Sequence, residues 1–365
     1  MLTEEKVQVL NILEVTDEVL RIKTSGGIGK AILYRRLHPE VKVGDWVIVN
    51  TTATKLKLGT GGWDVVRAVI KKGNYSFKNV GDAGHIMKAR YLSDQHSVLT
   101  VESPESKSHF LFKKRVSLNG KHIFICELHS MLPIIWFLLQ LKKESTPLTV
   151  IFSDEASLPL VMSRHLTYLK KQPSFFSITA GQSFGGQKEA VNLVTALQYI
   201  VEQQLQGMVL ITLGPGVVGS NTHYGFSGLA QANWANIIGA LGGKPVWIPR
   251  LSEADPRERH KGVSHHTITP LTELTLMNSI LPIPIGNYSN SLLERDWKRL
   301  TSYEHIEVKE VDEEHLFPQL IDVQELSPFP LTSMGRTIDK DPLFFLGVAC
   351  AVHWFLEEEH HSSKV

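Results

Sequence analysis

From residue 120 onward, short apolar runs alternate with longer stretches of helical period. No other feature of the chain constrains its fold as much. The runs are "KHIFICEL", "PLTVIFS", "FFSITAG", "GMVLITLG" and "KPVWIP". Near-continuous apolar runs mark strands buried on both faces, and βα alternation of this kind implies a parallel sheet with helices on both sides. The intervening helices are read at about 129–143, in "LPLVMSRHLTYLKK", in "QKEAVNLVTALQYIVEQQL" and in "SGLAQANWANIIGALGG". Thr269-Pro270 predicts the start of a further helix, "PLTELTLMNSIL". "DPLFFLGVACAVHWFLEEE" predicts a last, buried one, with Asp341 as its cap and Pro342 in its first position. The acidic segment 300–325 reads as solvated and carries no assigned chemistry.

Residues 1–118 follow a different pattern. "EVLRIKT", "KAILYRRL", "DWVIVNTT", "WDVVRAVI" and "SVLTVES" are short, rich in Val and Ile, and broken by turn residues. Two glycine-rich breaks, "LGTGGWD" at 58–64 and "GDAGHIMKARY" at 81–91, interrupt them. The expected fold class is α+β overall. A small β-barrel or sandwich at 1–118 precedes an α/β domain with a mainly parallel sheet at 119–365, within a chain of 365 residues that is long enough for two cores.

The balance of charge, +1 with 21% charged residues, supplies no field that would draw the chain to nucleic acid or acidic lipid. Cys126 and Cys350 sit in apolar runs and imply buried thiols in a reducing compartment. The acidic start "MLTEEKVQVL" is unlike a signal peptide, and the apolar run at 131–141 is too short to span a bilayer, so a cytoplasmic location is expected. "FFLGVACAVHWF" and "MLPIIWFLLQL" offer more apolar surface than one sheet face readily covers, which predicts a homodimer.

Ligands of open parallel sheets bind beyond the carboxyl ends of the strands. Four loops, 153–157, 180–186, 213–228 and 249–267, are expected to open on that edge. The third contains Gly214, Gly216 and Gly219 followed by Ser220, a G-x-G-x-x-G whose backbone can approach an anion. It lacks the immediate helix and the acid after the next strand, where Pro249 and Arg250 stand, that a dinucleotide site needs. Gly181 and Ser183 repeat the form in the second loop, with Ser183 a nucleophile or a helix cap; Asp154 and Glu155 in the first are a cap, a base or a cation ligand.

The fourth loop, "SEADPRERHKGVSHHT" at 252–267, is the densest in chemistry. Asp255, Pro256 and Glu258 have the spacing of a capping box, and Gly262 suits its end. Capping leaves Arg257, Arg259, His260, Ser264, His265 and His266 unexplained. Arginine forks and proton-passing imidazoles suit a carboxylate or phosphate, with His265, His266 and Ser264 the catalytic candidates. Asp255, His260, His265 and His266 would be the ligands of a metal. The spacing matches no zinc signature, adjacent histidines rarely converge, and the arginines and Lys261 would repel a cation, so no metal is favoured and the cofactor stays unassigned.

The motifs "GTGGW", "GHIMKARY", "GPGVVG", "HYGFSG", "ADPRERH" and "GVSHHT", in this order, resemble an uncharacterised bacterial family known only as a domain of unknown function. The resemblance runs through both halves and implies one functional unit, but transfers no catalytic role. The leading expectation is an enzyme or binder of a small anionic ligand, phosphorylated or nucleotide-like. The alternative is a regulatory or scaffold protein whose N-terminal half binds a protein or RNA through Arg35, Arg36, Lys88, Arg90 and Tyr91, although a solvated barrel face explains these residues as well.

Overall fold

The computed structural model describes residues 2–58, 61–71, 84–141 and 146–362. The chain divides into two compact units, Met1–Asp82 with Tyr91–Gln95, and Ala83–Arg90 with His96–Val365. Of the two glycine-rich breaks, Gly59, Thr60, Gly81, Asp82 and Ala83 lie outside the described residues.

The first unit is a closed barrel rather than a sandwich. Its strands are β1 (Glu4–Val15), β2 (Val19–Thr24), β3 (Lys30–Tyr34), β4 (Trp46–Asn50) and β5 (Asp64–Ile70), closed in the order β1-β2-β3-β5-β4, with α1 (Thr52–Lys55) after β4. The β3–β5 junction is parallel and the others antiparallel. Successive side chains alternate faces, so Val7 and Val9, Ala31 and Leu33, and Val47 and Val49 fill the interior. β1 had no sequence expectation: only its two central valines are buried, and acids open it.

The second unit begins with an antiparallel pair, β6 (Ile86–Lys88) and β7 (His96–Val98). There follow β8 (His122–Cys126), α2 (Met131–Gln140), β9 (Leu148–Ser153), α3 (Arg164–Leu169), β10 (Phe175–Thr179), β11 (Lys188–Glu189), α4 (Leu193–Glu202), β12 (Met208–Leu213), α5 (Ala230–Ala240) and β13 (Lys244–Trp247). The chain continues through β14 (Leu251–Ser252), β15 (Gly262–Val263), α6 (His265–Thr269), β16 (Ser279–Ile285), α7 (Asn287–Leu300), β17 (Ile306–Asp312), α8 (Leu316–Leu326) and α9 (Pro342–Ser362). Eight strands form one wholly parallel sheet in the order β11-β10-β9-β12-β8-β13-β16-β17. Helices α2, α3, α8 and most of α9 cover one face; α4, α5 and α7 cover the other.

Several expectations are corrected. The helix expected over 270–281 is a π-helical turn, Pro270–Leu274, followed by strand β16. Prolines argue against a central strand, but β16 meets β13 only at Val246↔Ile280, so Pro282 and Pro284 lie where that neighbour has ended. The acidic stretch 300–325 is not simply solvated: it supplies the edge strand β17, and α8 buries Leu316, Leu320 and Val323. The helix expected from Gln187 starts at Leu193, capped by Asn192 in a capping box with Thr195. Asp341 does not simply cap α9; its carboxylate accepts from Ser252 Oγ at 2.7 Å and Arg336 Nε at 2.8 Å. The apolar faces of α2 and α9 are covered within the chain, so their composition needs no partner to account for it. Among the described residues, no helix is long and apolar enough to cross a membrane.

Candidate functional site

Strands β9, β12, β8 and β13 are parallel neighbours, so their outgoing loops leave from one edge. The chain leaves β8 for α2 on one face and β12 for α5 on the other. Adjacent segments that part in this way leave a crevice at the carboxyl ends. Glu127 follows β8 at that point and is 2% exposed. Arg250, 5% exposed, follows β13.

The "SEADPRERHKGVSHHT" stretch is a hairpin loop. β14 and β15 pair in antiparallel register, Leu251↔Val263 and Ser252↔Gly262, and fold residues 253–261 back beside the strand ends. Gly262 has φ +66°, and a Cβ there would lie 2.4 Å from Asp296 Oδ2, so a side chain at this position is strained and displaces Asp296. Ser264 N–H donates to the Arg250 carbonyl at 2.8 Å, which fixes α6 against β13's exit.

Three imidazoles meet as a result. Ring centroids are 4.4 Å apart for His265–His266, 4.8 Å for His260–His266 and 5.0 Å for His260–His265. Behind them stand acceptors. His266 Nδ1 lies 2.5 Å from Glu127 Oε1, and His260 Nδ1 lies 2.7 Å from Ser264 Oγ. Arg250 Nη1 donates to Glu127 Oε2 at 3.1 Å. Burial alone would raise the Glu127 carboxyl, but the His266 bond and the Arg250 charge outweigh it and hold it below the usual range. An ionised carboxylate only accepts, so His266 carries its proton on Nδ1. Phe226 stacks flat on His266 at 3.9 Å. Gly228 gives Glu127 its room, since a Cβ there would be 2.8 Å from Oε1. Burial, then the charges of Arg250 and Arg257, push His260 down to about 3. Burial, then His266 and Arg259, push His265 down to about 4.

Asp255 accepts from the Arg257 backbone N–H at 3.0 Å, but the helical turn Glu258–His260 has Arg257, not Asp255, at its N-cap position. The buried Asp255 carboxylate is clasped by Arg257 through Nε and Nη2, both at 2.9 Å, with Arg336 Nη2 at 3.5 Å and Arg250 Nη2 at 3.8 Å. It is occupied by arginines and stands apart from the three imidazoles as a ligand. Glu258, expected to close the capping box, is exposed and pairs with Lys261 at 3.0 Å. Arg259 Nη1 bonds Asn221 Oδ1 from the glycine loop, and its Nε is buried without a partner. A cavity of about 120 Å³ opens here, lined by Gly219, Phe226, Arg250, Arg257, Arg259, His265 and His266 among others.

The other expected residues sit elsewhere. Gly214 and Gly216 lie beside Ser157, and Ser220 Oγ closes its own loop on Thr222 and Gly225. Ser183 is buried and donates to the Leu158 carbonyl at 3.2 Å, neither nucleophile nor cap in that arrangement. Asp154 accepts from Gln182 N–H at 2.7 Å, and the Gly181 and Ser183 carbonyls accept from Lys88 Nζ at 2.6 and 2.9 Å. Lys88 is therefore fully buried and not part of a solvated face. The first two loops form a structural clasp, whereas the third and fourth share the cavity. Sequence reasoning passed over Glu127 and Arg250 as site residues; the signal available was a single charge closing an otherwise apolar strand, in "IFICEL" and "VWIPR".

Fold and site together define a two-unit α+β protein: a closed five-stranded barrel, and an eight-stranded parallel sheet whose carboxyl edge carries a histidine- and arginine-lined cavity. The chain belongs to the family described as "Protein of unknown function (DUF3866)", whose model matches residues 30–352. No curated protein and no solved structure matches it.

Proposed function

We propose that this chain is an enzyme or binding protein for a small anionic ligand held at the carboxyl edge of the eight-stranded sheet. The observation that carries this reading is a surplus donor at one cavity. Around it, Glu127, Asp255 and Asp341 face Arg250, Arg257 and Arg336, three carboxylates against three guanidinium groups. Arg259 stands outside that balance with its Nε buried and unpartnered. A buried donor left unsatisfied costs free energy, which an anion accepting from it restores. The volume of about 120 Å³ is below the roughly 300–1,000 Å³ that encloses a drug-sized molecule. It suits a phosphate or carboxylate group, with the remainder of a larger ligand outside. Arg257 and Arg259 supply charge, His265 and His266 are the proton-transfer groups, and Ser264 is a positioning residue for His260.

The test is calorimetric titration of the metal-stripped full chain with inorganic phosphate. Arg259→Ala should weaken binding about tenfold or more, since a hydrogen bond to a charged group contributes about 1.5–3 kcal/mol, and should leave the ligand-free melting temperature unchanged. Wild-type protein that shows no heat of binding and no melting shift with phosphate sinks the reading.

A further inference from the structure

We propose that His260, His265 and His266 form a binding site for a divalent transition-metal ion of the zinc class, opening on the same cavity. One ligand atom from each of the three lies within 4.8 Å of the others. Ligands about 2.0–2.1 Å from a tetrahedral zinc stand about 3.3 Å from one another, a closure within reach of small χ rotations. His260 is fully buried, and its Nε2 has no hydrogen-bond partner; His265 Nε2 is likewise buried and unpartnered. Leaving two ring nitrogens dry and unsatisfied is costly, and a metal ion is a partner that satisfies both at once.

The rear of the site has the organisation that such ions require. Metal-bound histidines characteristically donate their other ring N–H to a carboxylate, carbonyl or hydroxyl, which fixes the tautomer. Glu127 does this for His266 at 2.5 Å, and the Ser264 hydroxyl, which can accept as well as donate, stands 2.7 Å from His260 Nδ1 in the corresponding place. Arg250, a donor, lies 3.2 Å from the same His266 nitrogen, but the shorter carboxylate contact decides its proton. The objections from sequence lose their force in three dimensions. His265 and His266 begin α6 behind Ser264, where the backbone turns and their rings meet. Arg250 and Arg257 are offset by Glu127 and Asp255, and Lys261 pairs with Glu258, which leaves Arg259 as the one arginine at the cavity with no carboxylate partner among the described residues. Three protein ligands leave a fourth position open, as in zinc sites that activate water or bind an anion. The site shares His265 and His266 with the anion reading, and with a metal bound they are ligands instead of proton-transfer groups; the residue that carries that reading, Arg259, is not a ligand.

The experiment strips the full chain with a chelator and titrates it with Zn(II), then records the visible spectrum after Co(II) loading. One equivalent per chain is expected, with the intense bands of tetrahedral Co(II). His265→Gln should weaken Zn(II) binding at least 100-fold. Glu127→Gln, which keeps the side-chain volume, should weaken it 10- to 100-fold, the range seen for partners behind metal ligands. Circular dichroism melts of both variants verify the fold, and His265→Gln keeps the test open if His260 variants do not fold. Absence of a stoichiometric site in the wild type, or unchanged affinity in a folded His265→Gln protein, overturns the proposal. Phosphate titration of the same metal-free protein reports on the anion reading separately.

Discussion

Asp255 is the acid on which the guanidinium groups of Arg257, Arg336 and Arg250 converge. Burial opposes its ionisation, but the Arg257 bonds outweigh burial and hold its pKa well below the ordinary 3.8. A carboxyl with a depressed folded pKa adds stability above its unfolded pKa and loses it as the pH falls through the acid range. Asp255→Asn should therefore be less stable than wild type by about 3 kcal/mol at neutral pH, the cost of breaking a buried pair. The gap should narrow below about pH 4. Urea unfolding at pH 7 and pH 3 measures it, and a constant gap would assign the loss to packing instead of charge. The same residue illustrates how far single positions were readable. Its spacing to Glu258 looks like a capping box, yet short acids bond arginines as readily as backbone amides. In the fold Asp255 does both: it accepts from the Arg257 backbone N–H at 3.0 Å and from Arg336, which comes from far along the chain.

At the scale of the element, the β14–β15 hairpin carries the site, because it returns the chain so that His260 faces His265 and His266. Gly262→Ala forces a left-handed residue to carry a Cβ, costing about 1–2 kcal/mol, and drives that Cβ into Asp296. We expect a lower melting temperature together with weaker phosphate and Zn(II) binding. Binding unchanged in a folded variant would show that the imidazoles meet without the hairpin. The five strands expected from "KHIFICEL" to "KPVWIP" were legible because burial on both faces leaves a run of apolar residues. β16 was not, since "SILPIPI" follows a stretch of helical period and contains prolines. The convergence of Glu127 with His266 was not legible either. It depends on β8 lying beside β12 and β13, and strand order leaves no trace in periodicity.

For the molecule as a whole, the segment carrying Lys88 shows how a short strand from early in the chain is bound into the second unit. Lys88 Nζ donates to the carbonyls of Gly181, Ser183 and Ala190 and lies 3.4 Å from Glu189 Oε2. Burial lowers its pKa and the Glu189 charge partly restores it. Lys88→Met should cost about 3–5 kcal/mol because Glu189 is left buried and unpaired. The double variant Lys88→Met/Glu189→Leu should recover part of that in urea unfolding, and no recovery would mean that the carbonyl bonds, not the ion pair, hold the segment. The strand order has a further consequence for synthesis. β12 occupies the slot between β9 and β8, yet emerges from the ribosome after both, and after β10 and β11. Until it arrives, the facing edges of β8 and β9 have no native partner for their backbone amides, while their side chains are almost wholly apolar. Unpaired strand edges in a growing chain invite wrong pairing. The gap between β8 and β9 thus stays open midway through translation until β12 closes it, and the outer edge of β8 waits longer still, for β13.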